Sequence, residues 1–406
     1  MKVLKKALLL AAIGGSLFAT AASADQVNLT WQMWTGSEAD TKTWQHLADM
    51  VSVKHPDIKV TLQTTGWVDY WTRLPVLAAS GQLADIVSMQ SLRMPNFYSL
   101  LEPLNERIKA DKLDIGAFTP SIIGGMSVDK ELYGLPYDVG PWVIYYNQNA
   151  FEAAGIPLPK PGWSLAEFTD AAKKLTKDGN YGFGVAPVNY SVMASAWGDK
   201  YIDDAGQLDL VNPAAIAAAD RLIGFAAKDK IAPLVPSGND AGTVIQGRFN
   251  SGNIAMYVDG PWSIIGMKDQ VKFKVGLTTL PRDAGELAAV TAGSGFGIST
   301  NSQNKDAAWK AIQVLTSPEA LSYLAEKGRA LPARTAAQSS WYQVAAKDIT
   351  NGGEALDYSL AHSIPYAITS NWAAVENLFN QYFPPAFAGS ADAKQTMETI
   401  QSLAQQ

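Results

Sequence analysis

The chain has 406 residues, with 32 Lys or Arg against 38 Asp or Glu and a formal net charge of −6. That acidic balance argues against a nucleic-acid partner held through its phosphates. The absence of cysteine excludes disulfides and thiol chemistry, and also a lipid anchor on an N-terminal cysteine.

Lys2, Lys5 and Lys6 precede the apolar run "ALLLAAIGGSLFA", and Ala22-Ser23-Ala24 offers a small-residue cleavage site. Residues 1–24 therefore read as a secretory signal peptide. Cleavage after Ala24 leaves an exported, periplasmic protein whose charge is more negative still. No later stretch approaches the roughly 18 to 20 apolar residues of a membrane span. The remaining length exceeds what one hydrophobic core usually holds, so two lobes are expected.

"VNLTWQMW" alternates like a strand, and the segment after it carries Trp44, Leu47, Ala48 and Val51 at the i, i+3, i+4, i+7 spacing of a buried helix face. His55-Pro56 stops that helix. "IKVTLQ" is a second strand, "YWTRLPVLAASG" a helix ending at Gly81, and "ADIVSM" a third strand. Strand, helix, strand, helix, strand is the order of a parallel sheet covered by helices. The same order returns with the strand "WVIYYN", a helix capped by Ser164 and the strand "YGFGVA". Helices over "NPAAIAAADRLIGFAAKDK" and "NKDAAWKAIQVLTSPEALSYLAEKG" open on asparagine caps. No low-complexity linker divides the halves, so the chain is expected to cross between lobes more than once.

His46, His55 and His362 are scattered without metal-ligand spacing, so no metal site is predicted. "TAGSGFGIS", Thr291 to Ser299, lacks both the dinucleotide and the P-loop glycine pattern. It reads as backbone passing close to another strand or to a ligand. Glu38, Asp85, Asp138 and Asp259 fall at strand ends, where they serve either as caps, as a paired acid and base, or as acceptors for sugar hydroxyls. Trp34, Trp67, Trp197 and Trp262 sit beside turn signals, out of helix or strand period. An indole face matches the C–H face of a pyranose, so such rings with neighbouring carboxylates and amides form a carbohydrate vocabulary. Gly-Pro-Trp occurs twice, at Gly140-Pro141-Trp142 and at Gly260-Pro261-Trp262.

Five ordered blocks resemble the extracellular solute-binding proteins of family 1, the maltose-type sugar-binding subunits of ABC importers. They are "VTLQTTGWVDYWTRLPVLAASGQLADIVSM", "ELYGLPYDVGPWVIYYNQNAFEAAGI", "GWSLAEFTDAAKKLTKDGNYGFGV", "FNSGNIAMYVDGPWSI" and "AWKAIQVLTSPEALSYLAEKGRALPART". The resemblance implies two α/β lobes, a type II periplasmic binding fold, joined by three crossing segments and closing on a ligand. It places the crossings at Pro136 to Gly140, Thr291 to Ser294 and Pro332 to Arg334. Lobe one is then 25–138 with 295–332, and lobe two 139–294 with 333–406. By the same resemblance, Trp34, Ser37, Glu38, Trp67, Gln90 and Ser91 face the cleft from the first lobe. Tyr137, Asp138, Gly293, Ser294 and Arg334 lie on the crossings, and Asn189, Trp197, Asp259, Gly260 and Trp262 come from the second lobe. Trp262 is the principal stacking candidate, while Trp142 reads equally well as packing.

The implied function is non-enzymatic capture of a sugar and its delivery to membrane permease subunits, by a monomer without cofactor. Two alternatives are the same fold binding a polyol or sugar phosphate through Arg334, and a periplasmic glycoside hydrolase using two of the carboxylates.

Overall fold

The computed structural model describes residues 26–238, 241–268, 270–283 and 289–406; the signal peptide assigned to residues 1–24 lies outside the described residues. The strand Val27–Trp34 buries Leu29, Trp31 and Met33 on alternate positions and pairs in parallel with Ile58–Thr65 and Ile86–Gln90. Between the first two runs the helix Glu38–Lys54, which buries Trp44, Leu47, Ala48 and Val51 as the spacing requires. Trp44 meets Trp31, Tyr137 and Phe296 edge to face, with centroids 5.8, 5.1 and 6.3 Å apart. The next helix begins at Trp67 and ends at Ala79, so Trp67 stands at a helix start where an open turn was expected.

Two strands from later in the chain complete this first sheet. Ser294–Ile298 runs antiparallel beside Ile86–Gln90, and Leu135–Pro136 lies outside it. A sheet that opens parallel thus closes with an antiparallel strand supplied from more than 150 positions downstream.

The second lobe departs from the expected parallel order. Val143–Asn147 lies between Val275–Thr278 and Met256–Asp259, antiparallel to both, and a second small sheet joins Ser363–Pro365, Ala289–Ala292 and Gly140–Pro141. "YGFGVA" makes only isolated bridges at Tyr181 and Gly184. Its glycines explain this: Gly182 lies against the Ala172 backbone, and Gly184 against Ile245 and Ile254, so the segment is pressed flat under helices and not laddered.

Helix caps in the second lobe follow the sequence signals more closely. Ser164 and Glu167 form a reciprocal capping box at Leu165–Leu175, and Asn212 caps Pro213–Ala227. Asn304, in contrast, makes no side-chain cap, and the long run after it splits into Lys305–Leu315 and Pro318–Glu326. Pro318 lacks the N–H an unbroken helix would need, and Ser317 caps the second piece by accepting from the Ala320 N–H. The C-terminal helices Trp372–Phe387 and Ala393–Ala404 pack on Pro213–Ala227 and on each other. Among the described residues no helix is long and apolar enough to cross a membrane.

Candidate functional site

The chain leaves the first sheet after Pro136 and joins the small second-lobe sheet at Gly140; it returns between Ala292 and Ser294. A third segment runs beside these two. Val139 N–H donates to Leu331 O and Ala333 N–H to Tyr137 O, both at 3.0 Å, and Asp138 pairs with Pro332. Three backbone segments therefore lie side by side between the lobes, and a cavity of about 360 Å³ opens over them. Recesses of similar volume exist elsewhere, including one of about 430 Å³ against Gln32, Gln63 and Arg73. The cleft combines the crossing segments with exposed tryptophans from both lobes, Trp67 and Trp262.

The first-lobe wall is an aromatic cluster. Trp34 contacts Trp67 and Tyr70 edge to face at 5.1 Å each, and Trp71 at 5.4 Å, while Arg93 lies 4.7 Å over the Trp71 ring. Both Trp34, at 7% exposure, and Trp67, at 41%, line the cavity. Gln90 ends the third strand on the same wall.

On the second-lobe wall the two Gly-Pro-Trp copies, 120 positions apart in the chain, meet in space. Trp142 and Trp262 contact edge to face at 5.2 Å, and both line the cavity. A Cβ on either Gly140 or Gly260 would collide with the Trp262 indole, so the missing side chains form a seat for that ring. The ring stays 51% exposed.

Asp259 holds this seat in place. Its carboxylate accepts from the Gly260 N–H and the Ser263 hydroxyl, both at 2.7 Å, and from Tyr257 and Gln246 at 3.3 Å. Burial pushes its pKa up, and the hydrogen bonds from Ser263 and Gly260 oppose that rise. With its lone pairs engaged internally, Asp259 orients Trp262 and lines a neighbouring recess behind it, not the main cavity.

The crossing segments form the floor. Tyr137 lies flat on Phe296, with centroids 4.9 Å apart and an interplanar angle of 20°. Asp138 accepts from the Ser294 N–H at 2.5 Å. Desolvation in the narrow cleft pushes its pKa up to about 7, against the pull of Arg329 and of the Ser294 hydrogen bonds. Gly293 admits the second crossing against the first, since a Cβ there would strike the Asp138 carbonyl. Ser91, behind it, exchanges backbone and side-chain hydrogen bonds with Gly293 at 2.9 and 3.2 Å.

Several candidates lie elsewhere. Ser37 caps the first helix through the Asp40 N–H, and Glu38 is an exposed partner of Lys42 at 2.7 Å. Asn189 turns its Oδ1 inward onto the Ala186 N–H at 2.8 Å and borders only the recess behind Trp262. Trp197, 3% exposed, is core: it packs on Phe225 and under Arg221 at the end of its own helix, so "SAWGD" marked a helix stop. Arg334 stacks 4.2 Å from Phe118 and donates to Thr316 O at 2.7 Å, pointing away from the cavity. Asp85 staples the first sheet through the Thr30 N–H and the Ser302 hydroxyl. The carboxylates singled out in the sequence are therefore not brought together as a pair.

Trp142, left open between packing and contact, and two residues that the sequence did not single out, Arg329 and Trp341, also border the cleft. Trp341 is buried with its indole N–H unpartnered among the described residues. Arg329 lies five positions from the arginine that was singled out, and "GRALPAR" gives no local sign of which one faces the cleft.

The family model for bacterial extracellular solute-binding proteins matches residues 35–321. The maltooligosaccharide ABC transporter solute-binding lipoprotein of Streptococcus pneumoniae is 26% identical, over 70% of this chain and 68% of its own. Among solved structures, a Listeria monocytogenes ABC substrate-binding protein in complex with cycloalternan aligns with a TM-score of 0.80 at 22% identity, covering 94% of this chain and 98% of that one. The Mycobacterium tuberculosis protein solved with glycerophosphocholine aligns at 0.77 and 21%, covering 92% and 97%. These two likenesses are of fold.

Proposed function

From the premise that the chain belongs to the bacterial extracellular solute-binding proteins, we propose that it captures a neutral sugar between its lobes and delivers it to the permease of an ABC importer. It would do so as a monomer in the periplasm, after cleavage following Ala24. The observation that carries this reading is the half-exposed Trp262 on its glycine seat, lining one cavity together with the exposed Trp67 and with the polar Gln90, Asp138 and Ser294. An exposed indole accepts the apolar face of a pyranose, and Gln90, Asp138 and Ser294 supply donors and acceptors for its hydroxyls. The relatives' recorded ligands, maltooligosaccharide and cycloalternan, agree with a sugar of this kind.

The ligand acts by population shift. Contacts made to both walls exist only when the lobes are together, so the ligand favours the closed state by that difference in affinity. The hinge would be the segments around Tyr137–Val139, Gly293 and Leu331–Ala333, which divide the chain into 25–138 with 295–332 and 139–294 with 333–406. A micromolar Kd corresponds to about −8 kcal/mol, within reach of two stacked rings and a few buried hydrogen bonds after closure costs.

Titration calorimetry against a sugar panel tests this. A saturable one-to-one signal without turnover is expected, together with a decrease in the radius of gyration by solution scattering. Hydrolysis of the bound sugar would overturn the reading in favour of an enzyme. Glycerophosphocholine displacing the sugar would favour the polyol or phosphate reading, which now rests on Arg329 and not on Arg334.

A further inference from the structure

Arg329 is the cation that lines the cavity, and its surroundings hold it still. The guanidinium lies 5.2 Å over the Trp44 ring, and Nε stands 2.9 Å from Asp40 Oδ1 at the start of the first helix. That contact is an ion pair without hydrogen-bond alignment, and the buried Nε has no hydrogen-bond partner among the described residues. Asp138, on the first crossing segment, borders the same cavity and is held from below by the Ser294 N–H. Arg329 and Asp138 feel each other's charge but form no direct ion pair. Opposite charges left apart on one cavity wall, each fixed from behind, are complementary to a group that donates on one side and accepts on the other.

We propose that Arg329 and Asp138 form a split donor–acceptor pair that brackets one ligand hydroxyl, the guanidinium donating to its oxygen and the carboxylate accepting its hydrogen. This rests on the sugar-binding reading and adds its specificity element. A ligand lacking that hydroxyl leaves two desolvated groups unpaired, a much larger loss than the missing contact itself.

The arrangement couples binding to a proton. The acceptor must be the ionised carboxylate, so ligand binding pulls Asp138 toward its charged form and releases a proton wherever the free protein holds one. The charged and titratable groups facing Asp138 are few. Arg329 faces it from the third segment, with Asp40 behind Arg329; the adjacent Tyr137 phenol stays protonated because burial raises its pKa well above the usual range. Asp259 sits in the neighbouring recess, enclosed by its own partners. With Asp138 titrating near 7 in the free protein, affinity should rise on the order of tenfold between pH 6 and pH 8.

The test is calorimetric titration from pH 5.5 to 8.5, in two buffers of different ionisation enthalpy. The probe is whichever of maltotriose, lactose and D-tagatose raises the wild-type melting temperature most. The wild type should release a proton on binding. Asp138→Asn should bind at least tenfold more weakly at pH 8 with a flat pH profile. Arg329→Gln should move the midpoint to higher pH, because losing the cation makes ionisation harder, and Arg329→Lys should restore the midpoint but only part of the affinity. A wild-type affinity that is flat in pH or falls as pH rises overturns the pair while leaving sugar binding intact. An Arg329→Gln profile identical to wild type does the same. If none of the three sugars binds at any pH, the sugar reading falls, and the bracketed hydroxyl with it.

Discussion

The two aromatic walls of the cleft are built by opposite means. In the first lobe, rings support rings: Trp34 and Trp71 each contact Trp67 and Tyr70 edge to face and meet one another at a tilt, all with centroids within 5.5 Å. On the second-lobe wall the backbone supports the ring, because Gly140 and Gly260 leave a gap the Trp262 indole fills edgewise while half of it stays open. Core packing and exposure to the cavity are therefore mixed in one wall and separated in the other. Tryptophan count says nothing about which is which.

Substitutions can break that contrast, and the largest effect is expected where ring packs on ring. Trp34→Ala should destabilise by about 3 to 5 kcal/mol, as truncation of a buried tryptophan does, read as an early shift in a denaturant melt. Intact stability would mean that the first wall is also merely leaning on backbone. Trp262→Ala should leave the melt nearly unchanged and weaken sugar binding by roughly 10- to 100-fold, about 1.4 to 2.8 kcal/mol. Unaltered affinity would remove Trp262 from the site.

Gly260→Ala isolates the seat itself. The new methyl must displace the indole, so affinity should fall by about 1 to 2 kcal/mol with the tryptophan still present, and the Trp262 contribution to the fluorescence change on binding should shrink. Trp67→Ala should show a smaller affinity loss than Trp262→Ala, since Trp34 and Trp71 remain behind it.

The smallest expected effect is electrostatic. The folded pKa of Asp138 is raised, to about 7 from the usual carboxylate range, so the folded protein holds a proton longer than the unfolded chain does. Its contribution to stability is present in full below the unfolded pKa near 4 and is lost as pH rises through about 7. The ligand-free melting temperature should thus fall more for the wild type than for Asp138→Asn between pH 6 and pH 8. Parallel curves would show that Asp138 is charged throughout.

Much of this architecture was legible in the chain because it depends on near neighbours. The Trp44 stripe, the alternation of "VNLTWQMW" and the Ser164 capping box are each set within one or two turns, where periodicity and capping chemistry act directly. Family resemblance then supplied the expected positions of the crossing segments, which local periodicity does not mark. Direction was the weak point. Trp197 and Trp262 both sit beside a glycine and a turn, yet one closes a buried helix and the other follows a strand end at the cavity. Arg329 and Arg334 share one short segment, and their directions depend on Trp44 and Phe118, which approach from distant parts of the chain. The antiparallel pairing of the second lobe is not legible locally for the same reason: a strand's side-chain alternation has period two whichever way its partner runs.

The sequence by itself determined the elements, the two-lobe class and the family, through composition, local period and ordered blocks. Only the tertiary structure decided that two Gly-Pro-Trp tripeptides 120 residues apart would make one wall, and that Trp341 and Arg329 would line the same cavity. The physical reason is that a binding wall is defined by what a side chain fails to touch. Such vacancies exist only after every other contact has been made.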